Sequence, residues 1–530
     1  MKSSQGKMRL AIIIVLLCAS VHAFRQGPNP LTVRRPLSNS RAPLIPRACA
    51  QGSSLNRKRA INTEFAGIAV PALAQFAAEP IAGLVDTAYL GRLGASALGG
   101  AGVAISAHYA TAKLFNDPLL RTSISIVADG DGAARSGEGS DAQSTSERDN
   151  AISAAMVLAL AVGVLQALFF LVCTPALITA MGAGPGSSMR PTALSYLRVR
   201  ALGMPAATMW LVANGIFRGL GDTRTPLAWA LLFSALNAAL DPLFIFPLGL
   251  GAAGAAAGTA LSQSIALVGL LRVLQAKTGV SLSPAALLSP TNLRALVPSL
   301  LAYGKAGVLV FLRTWGKVGA YTYCSRTAAG MGAVASAAHL LCFNLGVVLS
   351  QLCEAVAVAT QTLLARTMGA LRVADAAADA DASNCARSDA WHVIRLGCVV
   401  GAAVASSLTA LTALRPSSAI AGLTTDPAVR ATCATIMAPV LACQLFKGLA
   451  FPANGVVMGG LDWTFATAGI WIGSALCLLL VHSSSPPTLT SVWIGLSAFM
   501  STQTILSLAR VMSRAGPWKL LWKEAPPRRQ

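Results

Sequence analysis

Long apolar runs, separated by short polar breaks, follow one another along most of the chain. They are rich in Ala, Leu and Val, and they do not alternate between apolar and polar positions as the strands of a transmembrane barrel do. Runs of about 20 residues let a helix cross a hydrocarbon core of about 30 Å, and helices satisfy their own backbone groups in lipid. The pattern predicts twelve membrane-spanning helices, at residues 64–90, 97–127, 150–174, 191–217, 227–249, 252–275, 298–323, 330–365, 390–413, 431–458, 463–482 and 491–511.

Three polar segments interrupt these runs. Residues 129–150 are acidic and rich in Gly and Ser, and residues 375–389 are similar, so both are predicted to be solvated loops. Residues 277–297 lie between the sixth and seventh spans, where they would link two halves of six helices each.

An internal repeat supports this division. The pattern A-N-G-x-x-x-G-x-x-D at residues 213–222 recurs at residues 453–462, and G-A-x-A recurs 238 residues after its first occurrence at residues 94–97. An offset that spans six helices gives both halves the same orientation, which suits alternating access around a cleft between them. We therefore expect an all-α polytopic membrane protein whose twelve transmembrane helices form two parallel, pseudo-symmetric six-helix bundles. The predicted parts are an N-terminal lobe at 64–276, a linker at 277–297, a C-terminal lobe at 298–511 and a basic tail at 512–530.

Composition agrees with a membrane protein. The chain is 54% hydrophobic and 12% charged, with a mean hydropathy of +0.62, whereas soluble domains carry about 25% charged residues. The net charge of +21 does not indicate a nucleic-acid partner, because residues 1–63 hold eleven Lys and Arg without an acid and most of the rest lie in short loops and the tail. The loop bias places both termini in the cytosol-like compartment. The eleven cysteines show no metal-ligand spacing.

The first 63 residues have the composition of a targeting sequence. Residues 1–23 combine basic residues, a short apolar core and small residues before a cleavage point, as a secretory signal peptide does. Residues 24–63 are rich in Arg, Ser and Pro and lack acids, as a transit peptide does. Together they predict insertion in the plastid envelope of an alga with complex plastids. The alternative is a plasma-membrane or endomembrane protein with a basic N-terminal segment.

Polar side chains inside the first half predict a site for a coupling ion. Glu79 and Asp86 share a face of the first span, Asn237 and Asp241 share a face of the fifth, and Thr259 adds a hydroxyl in the sixth. Charge in a membrane span is costly and indicates function. Such a set suits a proton relay or a hard cation, with Na⁺ at Asp86, Asn237 and Asp241. Structural alternatives are helix capping, packing and the satisfaction of backbone groups freed by a proline.

Basic side chains dominate the second half. The candidates for a substrate cavity are Lys305, Arg313, Lys317, Glu354 and Lys447. Since Arg313 and Lys317 are four residues apart, they form one cationic helix face. Two interpretations stay open at this point: a structural ion network that includes Glu354, and a basic lining that attracts an anionic substrate.

Three motifs resemble the multidrug and toxic compound extrusion (MATE) family, especially its DinF branch and plant plastid relatives. They are L-V-D-T-A-Y-L-G-R-L-G at residues 84–94, N-G-x-x-R-G-x-x-D-T-x-x-P at residues 214–226 and N-x-x-x-D-P at residues 237–242. The resemblance covers about residues 64–515. It implies a two-lobe exporter driven by H⁺ or Na⁺ and a cation site at Asp86, Asn237 and Asp241. Glu79 stands where relatives often carry Gln.

We expect a secondary antiporter that is not an enzyme, needs no cofactor, lies in a lipid bilayer and works on a small molecule as a monomer. Plant relatives in the resembled branch include exporters of citrate and of salicylate-type acids, which together with the basic second half favours an organic anion such as citrate or an aromatic carboxylate. The alternatives are a multidrug exporter of organic cations and a lipid-linked oligosaccharide flippase of the same fold.

Overall fold

The computed structural model describes residues 54–523, with gaps at 94, 137–141, 182, 332, 415, 417–419, 421–426 and 485. Across these residues the chain forms helices and turns, without a strand. The helices are α1 Ser54–Gly91, α2 Ala95–Ser136, α3 Ala142–Ala180, α4 Arg190–Leu202, α5 Met204–Gly219, α6 Arg224–Ile245, α7 Gly251–Thr278, α8 Pro284–Leu287, α9 Pro290–Gly330, α10 Ala333–Ala376, α11 Ala380–Leu414, α12 Pro427–Thr435, α13 Met437–Gly459, α14 Trp463–His482, α15 Leu489–Met512 and α16 Lys519–Trp522.

These helices confirm the predicted twelve-helix, all-α fold. Ten of the predicted spans are single helices in the described chain, and two are pairs: α4 and α5 meet at Gly203, and α12 and α13 meet at Ile436. By length and hydropathy alone, eight helices of the described residues qualify as membrane spans. We refer to α1–α7 as the first lobe and to α9–α15 as the second lobe.

The repeated glycines have the same packing role in both lobes. A methyl group on Gly219 of α5 would lie 2.8 Å from the carbonyl oxygen of Ile124 on α2. A methyl group on Gly459 of α13 would lie 2.8 Å from the carbonyl oxygen of Gln361 on α10. Because only glycine allows so close an approach, the repeat in the sequence records how the fourth span packs on the second span of each lobe.

The repeated aspartates also have matching roles. Asp222 follows α5 and accepts a hydrogen bond from Lys277 at the end of α7. Asp462 follows α13 and accepts one from Nε of Arg510 on α15 at 2.8 Å and one from Nε1 of Trp518 at 3.1 Å. In each lobe the carboxylate fastens the turn after the fourth span to the end of the sixth.

The first helix of each lobe packs against the opposite lobe on the side where the termini lie. Phe65 and Ile68 of α1 join a core cluster formed mainly by α10 and α11, and Tyr303 of α9 joins the main core of the first lobe. At their other ends, Leu90 of α1 and Cys324 of α9 pack within their own lobes. The lobes are therefore packed against each other on the termini side.

The two predicted polar loops are wrong over most of their length. α2 continues to Ser136 and α3 begins at Ala142, while α10 continues to Ala376 and α11 begins at Ala380. Two of the aspartates there pair with basic residues of the opposite lobe. Asp131 of α2 forms an ion pair with Arg366 on α10, with its Oδ2 3.1 Å from the arginine Nε, and Asp129 pairs with Arg372. Both aspartates extend the helix because basic partners across the lobe interface neutralise them.

Other predicted boundaries also shift. α1 begins at Ser54, within the predicted transit-like segment, and Arg57 of this helix pairs with Asp389 at 3.6 Å. The linker narrows to the stretch between α7 and α9, interrupted by α8. The predicted basic tail includes a short 3-10 turn and α16, where Trp518 is fully buried. The predicted signal peptide, and the transit-like segment up to residue 53, lie outside the described residues.

Candidate ion and substrate sites

Two carboxyl groups meet in the half of the first lobe that faces away from the termini. Asp86 lies near the end of α1, and Asp241 lies near the end of α6, where it is fully buried. The two side chains are close enough to share a hydrogen bond when one of them carries a proton. Oδ1 of Asp86 and Oδ2 of Asp241 are buried without a donor among the described groups. Such orphaned oxygens fit a site that takes up a proton or a cation.

Asn237 and Thr259 complete this carboxyl site from α6 and α7. Nδ2 of Asn237 donates to Oδ1 of Asp241 at 2.8 Å and approaches Oγ1 of Thr259 at 3.2 Å. The Thr259 hydroxyl donates to the carbonyl oxygen of Ala255 at 2.9 Å. The structure thus brings together four of the five side chains predicted for the coupling ion. The fifth, Glu79, has a side chain outside the described residues.

Gly258 of α7 sets the distance between α7 and Asp241. A methyl group at this position would overlap Oδ1 of Asp241 and lie 3.2 Å from its backbone nitrogen. α7 can approach α6 this closely only because residue 258 has no side chain. The glycine thereby fixes the position of the buried carboxylate, a role that no motif in the sequence indicates.

Arg200 of α4 is a basic neighbour of the carboxyl pair. Its guanidinium donates to Oε1 of Gln263 at 3.2 and 3.3 Å, one helical turn along α7 from Thr259. It acts electrostatically on both Asp86 and Asp241. Sequence reasoning missed Arg200. The signal was present in the sequence, because a charge within the predicted span 191–217 is as costly in lipid as the charges of Asp86 and Asp241.

A second site lies in the cavity between α2 and the second lobe. It is lined by Arg121, Arg313, Lys317, Glu354, Ala357, Ala450, Phe451, Asn454, Met500 and Gln503. Arg121 belongs to the first lobe and the other residues to the second, so the cavity lies at the lobe interface. Three basic side chains against one acid make its lining cationic, as the sequence predicts for Arg313 and Lys317.

Arg121 connects the lobes across this cavity. Its Nε donates to Oδ2 of Asp117, four residues earlier on α2, at 2.9 Å. Its terminal nitrogen donates to Oε1 of Glu354 on α10 at 3.1 Å. Lys113 lies one turn before Asp117, so α2 presents three charged residues at successive i, i+4 positions. This spacing was visible in the predicted span 97–127, and sequence reasoning missed all three residues.

Two predicted cavity residues lie elsewhere. Lys305 is exposed on α9 and is not part of the lining. Lys447 is buried behind the cavity, with Nζ 3.4 Å from the carbonyl oxygen of Gly346 and 5.9 Å from the centre of the Phe343 ring. A backbone oxygen and an aromatic face therefore stabilise this cation, and Lys447 is not among the residues that line the cavity.

Comparison with known proteins gives a consistent result. Residues 135–243 match the MatE family model. The chain is 32% identical over 463 residues to Protein DETOXIFICATION 44, chloroplastic, of Arabidopsis thaliana, covering 87% of this chain and 84% of the relative. It is 32% identical to Protein DETOXIFICATION 45, chloroplastic, of the same plant, covering 86% and 80%. The bent form of the Vibrio cholerae MATE transporter VcmN has the same fold, with a TM-score of 0.69, 17% identity and coverage of 88% and 98%.

Proposed function

The chain belongs to the multidrug and toxic compound extrusion (MATE) family of membrane transporters, and on that premise we propose that it is a proton-coupled antiporter that exports small organic anions across a plastid envelope membrane. The cationic cavity at the lobe interface is the observation that carries this proposal. Arg121, Arg313 and Lys317 surround a space between two lobes that must separate and rejoin during alternating access. A lipophilic cation entering this space would face like charges.

The carboxyl site of the first lobe supports a proton rather than Na⁺ as the coupling ion. Sodium prefers several oxygen ligands, but the Asn237 amide turns its nitrogen toward Asp241 and Thr259. Arg200 adds a positive charge that opposes a second cation. A proton placed between Asp86 and Asp241 needs no further ligand, and it removes the repulsion between two neighbouring carboxylates.

The direction of export follows from orientation. The loop charges favour both termini in the cytosol-like compartment, which is the stroma for an envelope protein. Because the lobes are packed together on the termini side, we infer that they part on the other side and release substrate outside the stroma. The plastid location rests on residues 1–63 and on relatives whose names include the word chloroplastic.

Transport by the purified full chain in liposomes tests the proposal. Uptake of labelled citrate, salicylate and tetraphenylphosphonium would be compared under an imposed pH gradient and under an imposed Na⁺ gradient. We expect the pH gradient to drive the two acids and not the cation. Asp86→Asn and Asp241→Asn should each abolish this drive, while Glu147→Gln, at an exposed acid on α3, should retain it.

Three results would contradict the proposal. Uptake of the phosphonium ion without uptake of either acid would favour the multidrug exporter of organic cations. Full activity in both aspartate variants would remove the carboxyl site from the coupling mechanism. If an Na⁺ gradient drives uptake of the acids when the pH is equal on both sides, the coupling ion is Na⁺ and not H⁺.

A further inference from the structure

Charged side chains from three helices line the interlobe cavity, and the basic ones differ in how many carboxylates they pair with. Arg121 of α2 already has two carboxylate partners, Asp117 on its own helix and Glu354 on α10. The second partner is the important one, since it belongs to the opposite lobe and itself lines the cavity. Glu354 therefore places a carboxylate of the protein at one cationic position in the cavity.

Arg313 and Lys317 of α9 are the two other cationic residues that line the cavity. In the part of the chain that the structure describes, no carboxylate forms an ion pair with either residue. Nε of Arg313 is buried without a hydrogen-bond acceptor, in a side chain that is 4% exposed. Nζ of Lys317 lies 5.5 Å from the centre of the Phe451 ring. A buried guanidinium with an unmet hydrogen bond at a cavity wall marks a position for an acceptor from a ligand.

We propose that Glu354 determines the charge of the substrate: by occupying Arg121, it leaves two cations, Arg313 and Lys317, for a small dicarboxylate. The inference rests on the proposed function and refines it from organic anions to dianions. Residues four apart on a helix have side chains roughly 5–6 Å apart at their bases. Two carboxylates joined by a chain of three carbons can therefore each reach one of them.

The inference is tested by measuring the uptake of three acyclic acids of increasing charge. Proteoliposomes of the full chain would take up labelled butyrate, glutarate or tricarballylate, with one, two and three carboxylates, at a pH where all are ionised. We expect glutarate to have the lowest KM. Glu354→Gln leaves Arg121 with Asp117 as its carboxylate partner and raises the net charge of the cavity lining by one. The variant should therefore shift the preference to tricarballylate by about tenfold in the KM ratio, as expected when one buried charge pair changes.

Arg313→Gln provides the opposite change. It leaves one free cation and should shift the preference from glutarate toward butyrate by a similar factor. Arg326→Gln removes a charge from the same helix at an exposed position and should leave the order of the three acids unchanged. The paired shifts in opposite directions would distinguish charge matching from a general loss of structure, which would reduce all three activities together.

The possible failures are separable. If the unaltered protein transports none of the three acids but moves a lipophilic cation, the proposed function is wrong. If it transports the acids, and neither Glu354→Gln nor Arg313→Gln changes their order, the anion proposal stands and the charge-matching role of Glu354 is wrong. If Glu354→Gln is inactive, the result from Arg313→Gln decides: a shift toward butyrate supports the inference, and an unchanged order overturns it.

Discussion

Gly132 of α2 and Gly369 of α10 occupy equivalent places in the two lobes, and each presses against the backbone of the other helix. A methyl group on Gly132 would overlap the carbonyl of Arg366, and one on Gly369 would overlap the carbonyl of Asp129. Around this crossing, Arg366 pairs with Glu64 and Asp131, and Arg372 pairs with Asp129. The lobes are thus held together on the termini side by a symmetric glycine contact within a ring of ion pairs.

Gly369→Val should separate the lobes on that side. The added side chain cannot fit against Asp129, so the closed crossing loses stability relative to a state that is open toward the termini. Spin labels at Glu147 and Asp379, both exposed on the termini side, should report longer distances in the variant. Gly67→Ala adds a methyl group where no atom lies within 4 Å and should leave the distances unchanged. An unaltered distribution in Gly369→Val would show that the crossing does not control closure.

Gly258→Ala should impair coupling without unfolding the protein. The new methyl group would displace the Asp241 carboxyl group from its contacts with Asp86 and Asn237. We expect proton-driven uptake in liposomes to fall by about tenfold or more, as for other small displacements of reacting groups. Gly102→Ala, on α2 with open space around it, is the matched control. Equal transport by the two variants would mean that the position of Asp241 is not critical.

Arg200→Gln should change the ion selectivity of the carboxyl site. Without the guanidinium, Asp86 and Asp241 lose the positive charge that opposes a second cation, so Na⁺ should bind more readily. The measurement is anion uptake driven by an Na⁺ gradient at equal pH, which we expect only in the variant. Arg198→Gln, two residues away and exposed, should behave as the unaltered protein. Absence of Na⁺-driven uptake in Arg200→Gln would leave Arg200 with a purely structural role.

Asp222→Asn should lower stability in a pH-dependent way. Burial raises the pKa of Asp222, but the Lys277 ammonium and the hydrogen bonds from Thr225 outweigh it and hold this pKa below its ordinary value. The ionised side chain therefore stabilises the fold fully above the unfolded pKa of about 3.9, and the contribution is lost as the pH falls through the folded pKa. We expect the variant to melt roughly 2 °C lower at pH 7.

That difference in melting temperature should shrink as the pH falls below about 4. Thermal unfolding in detergent, followed by intrinsic fluorescence, measures it. Glu147→Gln removes an exposed acid that forms no ion pair with the described residues and should match the unaltered protein at each pH. A difference that persists undiminished at low pH would show that the stabilisation does not come from the charge of Asp222.

Hydrophobic patterning determined the helix count, because it depends on segment length. The internal repeat indicated the two halves, and local motifs indicated the family. The repeated glycines and aspartates were visible in the sequence, as were Asp86, Asn237 and Asp241. The same reasoning extends to α2 and α4, because the charges of Lys113, Asp117, Arg121 and Arg200 are as costly in lipid as those of the acids on α1 and α6.

Other features were decided only by the tertiary structure. Three contacts join residues that are far apart in the chain: the packing of the first parts of α1 and α9 on the opposite lobe, the pairing of Arg121 with Glu354 and the burial of Asp131 against Arg366. No periodicity encodes such pairings, because they depend on how two folded lobes meet. For the same reason, a polar stretch that resembles a loop in the sequence continues as helix once the opposite lobe supplies its counter-charges.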